Sequence, residues 1–233
     1  CTATLSVNIS QPVQLIVSET HTNISCNGLT DGTITTATTG GTNPYTYLWN
    51  DGNAQSNRTG LGVNVYTVTV SDFNLCTATV SVSITQPAAL VVNLSGTNIS
   101  CFAGSNGTIT STMTGGTSPY NYLWNDANTS ANRTSVVAGS YTLTVTDFST
   151  CTASATLSLT EPTQLTVANT STNVTCGGGN DGSIITNVSG GTPAYSYLWN
   201  DANTNANRTT LTAGNYTVTV TDNEAPVFNC TSN

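Results

Sequence analysis

A repeat of 75 residues is the feature that most constrains how this chain can fold. Six cysteines form two columns with that step, and the single Trp and the single Arg of each copy keep the same step. The recurring positions are Cys1, Cys76 and Cys151; Cys26, Cys101 and Cys176; Trp49, Trp124 and Trp199; and Arg58, Arg133 and Arg208. Self-similarity at a fixed period indicates a tandem array of small structural units.

The period divides the chain into three copies, which we place at residues 13–87, 88–162 and 163–224. Residues 1–12 match the end of a copy and are interpreted as the last strand of a preceding repeat. The tail, residues 225–233, departs from the pattern and is predicted to begin a different module. We therefore expect the chain to be a segment of a longer protein.

Each copy is predicted to be an antiparallel β-sandwich. Runs such as 141–146 (YTLTVT) and 77–85 (TATVSVSIT) alternate apolar and hydroxyl residues with period two, which is typical of half-buried strands. Gly-Gly-Thr segments separate the strands as turns. About seven short strands in 75 residues favour an immunoglobulin-like sandwich. A parallel β-helix is the rival, but its repeats are far shorter.

Two aromatic columns support the immunoglobulin-like interpretation. A Trp of the third strand packs between the sheets of such folds, and a tyrosine corner opens a later long strand. These positions are interpreted as structural core, and stacking of the Trp on carbohydrate is the functional alternative. The residues are Trp49, Trp124 and Trp199, with Tyr66, Tyr141 and Tyr216.

The regular cysteines indicate disulfides and an oxidising, extracellular setting, since the chain has no CxxC motif and only one histidine. Two connectivities compete. One joins Cys26 to Cys76 and Cys101 to Cys151 inside each copy. The other joins cysteines 25 residues apart, namely Cys1–Cys26, Cys76–Cys101 and Cys151–Cys176. The second is preferred because a hairpin at residues 86–89 would bring 76 and 101 close together, and because Pro226 stands where the third copy would carry its cysteine.

The charge balance excludes several classes of partner. The chain has three Arg, no Lys and 11 acidic residues, which give a net charge of −8. So few bases cannot neutralise a row of phosphates or dock on anionic lipid, so we expect no nucleic-acid partner. No apolar run approaches the roughly 20 residues of a membrane span, so we expect no direct membrane insertion.

No catalytic, cofactor or metal site is predicted. His21 occurs in one copy only, which argues against a Ser-His-Asp site. The acidic residues recur in two columns, Asp51, Asp126 and Asp201, and Asp72, Asp147 and Asp222. Calcium is an alternative role for these oxygens, but no loop has the known ligand spacing. The favoured interpretation is that one Asp of each copy pairs with its Arg and the other caps a turn.

The combined motifs resemble the SprB-type repeat. The residues that carry the resemblance are CGGGNDGS from Cys176, GGTPAYSYLW from Gly190, AGNYTVTVTD from Ala213, and the Cys-Thr-Ala triplets. This family occurs in very large surface adhesins of gliding and other Bacteroidota and is similar to PKD-like immunoglobulin-fold modules. The tail from Asp222 to Cys230 resembles the opening of a hyalin-type (HYR) repeat. The departures from the family pattern are Pro226 and the absence of lysine.

The resemblance implies a secreted, cell-surface protein in which tandem repeats form a stalk or filament, and it supplies no catalytic residue. Its expected partners are the neighbouring repeats, other filament or surface components, and surface polysaccharide. The alternatives are an array of carbohydrate-binding modules and an accessory region of a secreted hydrolase. A proline at each junction, Pro12, Pro87 and Pro162, removes a donor and fixes φ, which predicts a stiff, extended rod.

Glycosylation is a further expectation, because a surface so poor in charge has little else to keep it hydrated. Two columns of Asn-x-Ser/Thr sequons recur with the repeat. The candidate sites are Asn23, Asn98 and Asn173, and Asn57, Asn132 and Asn207.

Overall fold

The computed structural model describes residues 1–222 and 231–232, and every regular element in that part of the chain is a β-strand. No helix in these ranges is long and apolar enough to cross a membrane. The predicted start of a different module, residues 225–233, lies outside the described residues except for 231–232.

The first copy contains six strands, and the other two copies repeat their order. The strands of the first copy are β1 (Ile16–Thr22), β2 (Gly32–Thr39), β3 (Thr46–Trp49), β4 (Arg58–Leu61), β5 (Asn64–Ser71) and β6 (Thr77–Ile84). The second copy has β7 (Val91–Thr97), β8 (Gly107–Thr114), β9 (Asn121–Trp124), β10 (Arg133–Val136), β11 (Gly139–Thr146) and β12 (Thr152–Leu159). The third has β13 (Thr166–Thr172), β14 (Gly182–Ser189), β15 (Ser196–Trp199), β16 (Arg208–Leu211) and β17 (Val218–Thr221), and β18 (Thr231–Ser232), which lies in the predicted tail, pairs with β17.

The strands of each copy form two three-stranded sheets. In the first copy the orders are β1-β2-β4 and β3-β5-β6, and the same orders recur in the other two copies. The pairs whose register is known in the first copy are antiparallel, with Ile16 opposite Thr39 and Tyr66 opposite Val82. The all-β prediction is therefore confirmed. The described part of each copy has six strands where about seven were predicted, and residues 50–57, between β3 and β4, form a turn that the Arg58–Asp51 hydrogen bonds close.

Apolar side chains from both sheets of the first copy meet in one core. Ile34 and Leu61 come from the first sheet, and Trp49, Val68 and Ile84 come from the second. The alternation seen in the sequence determines which side chains point inward, because successive strand residues face opposite sides of a sheet. The two sheets of this copy therefore form a sandwich.

A tyrosine corner marks each copy as immunoglobulin-like. The hydroxyl of Tyr66 donates to the carbonyl of Gly62, four residues upstream, at 3.2 Å. Tyr141 and Tyr216 make the same bond to Val137 and Thr212, at 2.9 and 3.1 Å. A hydroxyl that bonds backbone a few residues upstream is the hallmark of this corner, and a buried Trp on the third strand accompanies it.

The Gly-Gly turn needs its glycines for steric reasons. Gly40 has φ +72°, and a Cβ at this position would lie 1.9 Å from the carbonyl oxygen of Gln14. Gly115 and Gly190 have φ of +69° and +74° and equally close carbonyl neighbours. Only glycine fits where backbone segments approach so closely and φ is positive.

The chain divides into two compact units. The first consists of residues 1–91, 113–121 and 145–153, and the second of residues 92–112, 122–144 and 154 onward. The second copy of the repeat therefore contributes residues to both units.

The predicted hairpin at residues 86–89 is wrong. Strand β6 pairs with β5, whereas β7 pairs with β8 in another sheet. After Pro87 the chain continues to Ala88, whose carbonyl accepts a hydrogen bond from the N–H of Gly116 at 2.9 Å. Residues 76 and 101 are thus not brought opposite each other by a hairpin. Residues 1–12, interpreted as a last strand, have no regular structure in this chain.

Replacement of Trp124 by Ala tests the role of the core tryptophan. The side chain is only 2% exposed, so its truncation should lower the free energy of unfolding by about 3–5 kcal/mol. Chemical denaturation followed by circular dichroism measures this change. The neighbouring Leu123 is 54% exposed, and Leu123→Ala serves as the control with a small effect. Equal effects of the two substitutions would contradict the core assignment.

Candidate functional site

A polar cluster that recurs in all three copies surrounds the tryptophan at the end of the third strand. In the first copy, Arg58 donates from both terminal nitrogens to the carboxylate of Asp51, at 3.1 and 2.7 Å. Its guanidinium carbon lies 5.4 Å from the ring centroid of Trp49 and 5.7 Å from that of Tyr66. One cation thus joins a turn, a core aromatic and the tyrosine corner.

The other two copies repeat this cluster closely. The Arg–Asp distances are 3.0 and 2.7 Å for Arg133 with Asp126, and 2.9 and 2.6 Å for Arg208 with Asp201. The interpretation that one Asp of each copy pairs with that copy's Arg is confirmed.

Electrostatics favour the ionised pair in each copy. The guanidinium of Arg58 donates to Asp51 and holds the pKa of that carboxyl below its usual value. Arg133 and Arg208 lower the pKa of Asp126 and Asp201 in the same way, and Asp201 raises the pKa of Arg208. A carboxylate held as an anion by two charge-assisted hydrogen bonds is a poor general acid, so this cluster stabilises structure.

The tryptophan rings are not exposed as a sugar-stacking platform. Trp49, Trp124 and Trp199 are each 2% exposed. Their indole N–H groups donate to carbonyls six residues downstream, at 2.7–2.8 Å. A ring that stacks on carbohydrate needs an accessible face, and these rings have none in the described structure.

The second acidic column caps a different turn. Asp72 is buried and accepts hydrogen bonds from the backbone N–H groups of Thr42 and Cys76, at 2.9 and 2.8 Å. These bonds, that from Thr42 foremost, lower the pKa of Asp72. Asp147 makes the equivalent bonds with Thr117 and Cys151, both at 2.8 Å. This column therefore fixes the turn that carries a cysteine.

The predicted disulfide pairing is wrong. Cys26 is bonded to Cys151, with a Cα–Cα distance of 5.6 Å, and this pair occurs in neither predicted connectivity. Cys1, Cys76 and Cys176 carry free, exposed thiols, whereas Cys101 is not free. The bond links the loop after β1 in the first copy to the Asp147 turn in the second. The preferred pairing also joined neighbouring copies, but it relied on a hairpin at residues 86–89 that the strand order excludes.

The six candidate glycosylation residues are exposed. In one column the amide oxygens of Asn57, Asn132 and Asn207 accept backbone N–H bonds from the neighbouring strand, at 3.1, 2.9 and 3.0 Å. In the other, Asn23 and Asn98 accept from Thr85 and Thr160, at 2.9 and 3.0 Å. These hydrogen bonds engage the amide oxygen of each Asn. They do not engage the amide nitrogen, which is the atom to which an N-linked sugar attaches.

His21 lies outside any nucleophile–base arrangement that the described residues form. Its Nδ1 is 3.0 Å from the carboxylate of Glu19, two residues away on β1. Residues 1–222 and 231–232 contain no group of three His, Cys, Asp or Glu side chains that could hold a metal ion.

Asn50 is a further bridging residue, and the sequence analysis does not identify it. Its amide donates to the carbonyl of Val65 and accepts from the N–H of Thr67, at 3.1 and 3.2 Å. Asn125 and Asn200 make the same pair of bonds. The sequence feature that points to this Asn is its recurrence in the Leu-Trp-Asn-Asp motif of every copy, in which the sequence analysis gives a role only to the Trp and the Asp.

Replacement of Arg133 by Lys tests the Arg–Asp–Trp cluster. Lysine cannot make two parallel bonds to one carboxylate or stack as a plane, so the melting temperature should fall at pH 7. The Asp126 carboxyl has a lowered pKa in the folded state, so the ion pair stabilises the fold above the unfolded-state pKa of about 4 and is lost as pH falls through the folded value. The difference between variant and parent should therefore shrink in acid. A difference independent of pH would contradict this account.

Comparison with known proteins identifies the repeat. The family model described as the SprB repeat matches three segments, residues 18–54, 93–129 and 168–204. A search of curated proteins found no match to this chain. Among solved structures, the amphioxus IgVJ-C2 molecule is similar at 13% identity with a TM-score of 0.27, covering 65% of this chain and 98% of that one. One match falls at the same place in each 75-residue copy, and each copy therefore contains a segment that matches the SprB repeat.

Proposed function

We propose that this chain is a structural segment of a secreted bacterial cell-surface adhesin, in which the repeats build a stalk or filament. The observation that carries the proposal is the uniformity of the three SprB repeats. Their polar clusters recur with nearly the same distances, as the Arg–Asp pairs show. A receptor-binding or catalytic site usually departs from its neighbours, whereas a spacer needs only length.

A non-enzymatic role is part of the proposal. The recurring polar side chains are used within the fold, because Arg58 pairs with Asp51, and Asp72 caps a turn. The buried Trp49 ring disfavours the alternative of a carbohydrate-binding array. An accessory region of a secreted hydrolase would need a catalytic domain elsewhere in the protein.

An extracellular location is supported by the disulfide. Cys26–Cys151 needs an oxidising compartment in which to form and persist. The scarcity of charge gives a second argument, because glycans would supply the hydration that such a surface lacks. We propose disulfide stabilisation and glycosylation together, with the neighbouring repeats and surface polysaccharide as partners.

The stalk role predicts a rod whose length grows with copy number. Small-angle scattering on chains with three and six copies should give a maximum dimension that increases by about 30–40 Å per copy, if roughly ten residues of each copy run along the axis. The stiffness is expected from the junction prolines and from the disulfide between the first two copies. Reduction should loosen the joints before the sandwiches unfold. A maximum dimension that does not grow with copy number under oxidising conditions would refute the rod.

Glycosylation predicts a mass excess in protein isolated from its native host. Peptide mapping should find sugar on the exposed sequons, with Asn57, Asn132 and Asn207 as the repeated column. Unglycosylated recombinant protein is the control, and it should be less soluble. Native peptides of unmodified mass at all six sequons would contradict N-glycosylation.

A further inference from the structure

Two Asn-Gly steps occur in the chain, and the structure places them in opposite environments. Asn27-Gly28 lies in the loop after β1, whereas Asn106-Gly107 leads into β8. The backbone nitrogen of the residue after an asparagine is able to attack the side-chain amide. The attack is easiest when that residue is glycine, because glycine has no Cβ to hinder it and turns freely about its backbone bonds. Each step is therefore a candidate site of spontaneous modification.

The first step is accessible and has room to move. Asn27 and Gly28 are both exposed, and they occupy the middle of a turn in which the N–H of Leu29 donates to the carbonyl of Cys26 at 3.1 Å. Within the described structure, and chain neighbours aside, nothing lies within 4 Å of a Cβ built on Gly28. The backbone at Gly28 can therefore rotate without a steric clash.

The second step is held in place by its surroundings. Both polar atoms of the Asn106 side chain bond Ser100: Oδ1 accepts from its N–H at 3.1 Å, and Nδ2 donates to its hydroxyl at 2.7 Å. Gly107 is buried, and a Cβ at this position would lie 2.9 Å from the carbonyl oxygen of Val136, its partner in the sheet. Attack at this step would have to break the side-chain bonds and displace the start of β8.

We propose that Asn27 is a site of spontaneous deamidation and that its conversion releases the Cys26 loop from the segment that leads into the second copy. The side-chain amide of Asn27 donates to the carbonyl of Pro87 at 3.1 Å, and the N–H of Gly28 donates to Oε1 of Gln86 at 2.9 Å. An ionised carboxylate has no hydrogen to donate, so the bond to Pro87 is lost on conversion. The new negative charge would also repel the carbonyl oxygen that it faces.

The reaction needs only water. The backbone nitrogen of Gly28 loses its proton and attacks Cγ of Asn27, so that a new carbon–nitrogen bond forms. The bond from Cγ to the side-chain nitrogen breaks, and that nitrogen takes up a proton and leaves as ammonia. Water then opens the cyclic imide at either of its carbonyls. One opening gives aspartate, and the other gives isoaspartate, in which the main chain runs through the former side-chain carbonyl.

The second copy supplies a control variant for this chemistry. Ala103 stands where the first copy has Gly28, and it has a φ of +56° where Gly28 has +83°. The N–H of Ala103 donates to Oε2 of Glu161 at 2.9 Å, just as that of Gly28 donates to Gln86. Gly28→Ala should therefore keep the loop conformation, while the added Cβ hinders attack by the backbone nitrogen.

The experiment incubates the full-length recombinant protein in mildly alkaline buffer and follows both Asn-Gly peptides by mass spectrometry. In the folded protein, Asn27 should convert to a mixture of aspartyl and isoaspartyl peptides several-fold faster than Asn106. Gly28→Ala should slow conversion at residue 27 several-fold without a change in melting temperature. In denaturant the two steps should convert at similar rates, because the fold alone protects Asn106. A sample digested at time zero corrects for conversion during digestion.

Asn27→Asp tests the structural consequence of the conversion. This variant should raise the hydrogen exchange rate of residues 26–29, because the loop has lost its bond to Pro87. Gly28→Ala is the control in which exchange should stay the same. Unconverted Asn27 in the folded protein, or equal rates at Asn27 and Asn106 there, would overturn the modification site. Unchanged exchange in Asn27→Asp would overturn the release of the loop.

Discussion

Each copy depends on the closure of a small apolar core between two sheets of only three strands. Trp49 is the largest side chain in that core, and it lies at the end of β3, where the turn of residues 50–57 leads to β4 in the other sheet. A domain of this size buries a modest fraction of its surface, so it tolerates few defects in packing. The guanidinium of Arg58, which lies over the Trp49 ring, and the hydrogen bond from Asn50 to Val65 both hold the turn that positions Trp49.

On these sheets, hydroxyl and amide groups make the polar surface contacts that charged side chains make on most proteins. Opposed hydroxyls bond across strands, as in Thr22 with Thr33 at 2.7 Å and Thr97 with Thr108 at 2.8 Å. Asn and Asp side chains accept hydrogen bonds from the backbone N–H groups at turns and strand ends. Such short polar chains lose little entropy when ordered, so a chain with three cations still satisfies its backbone.

The sequence was informative wherever the determining interactions lie inside one copy. Period-two alternation predicted the long strands, and the Trp and Tyr columns predicted the immunoglobulin-like core. The recurrence of one Arg and two Asp columns predicted that one Asp of each copy pairs with its Arg, and the structure identifies that Asp as Asp51 in the first copy. The disulfide was mispredicted because residues 76 and 101 were expected to face each other in a hairpin that does not form, and because a 75-residue period is equally compatible with separations of 25, 50 and 125. The pairing depends on how β6 and β7 enter different sheets, which no local pattern in the Gln86–Pro87 segment reveals.

The position of the Cys26–Cys151 bond has a mechanical consequence. The two residues are 125 apart in sequence, so the bond closes a covalent loop that contains most of two copies. When the chain is pulled from its ends, the load passes from Cys26 directly to Cys151, and the strands between them carry none of it. At about 3.4 Å per extended residue, roughly 400 Å of chain is withheld from stretching. Under tension, the segment from Cys26 to Cys151 therefore does not lengthen until that sulfur–sulfur bond is reduced, whereas the third copy remains under load.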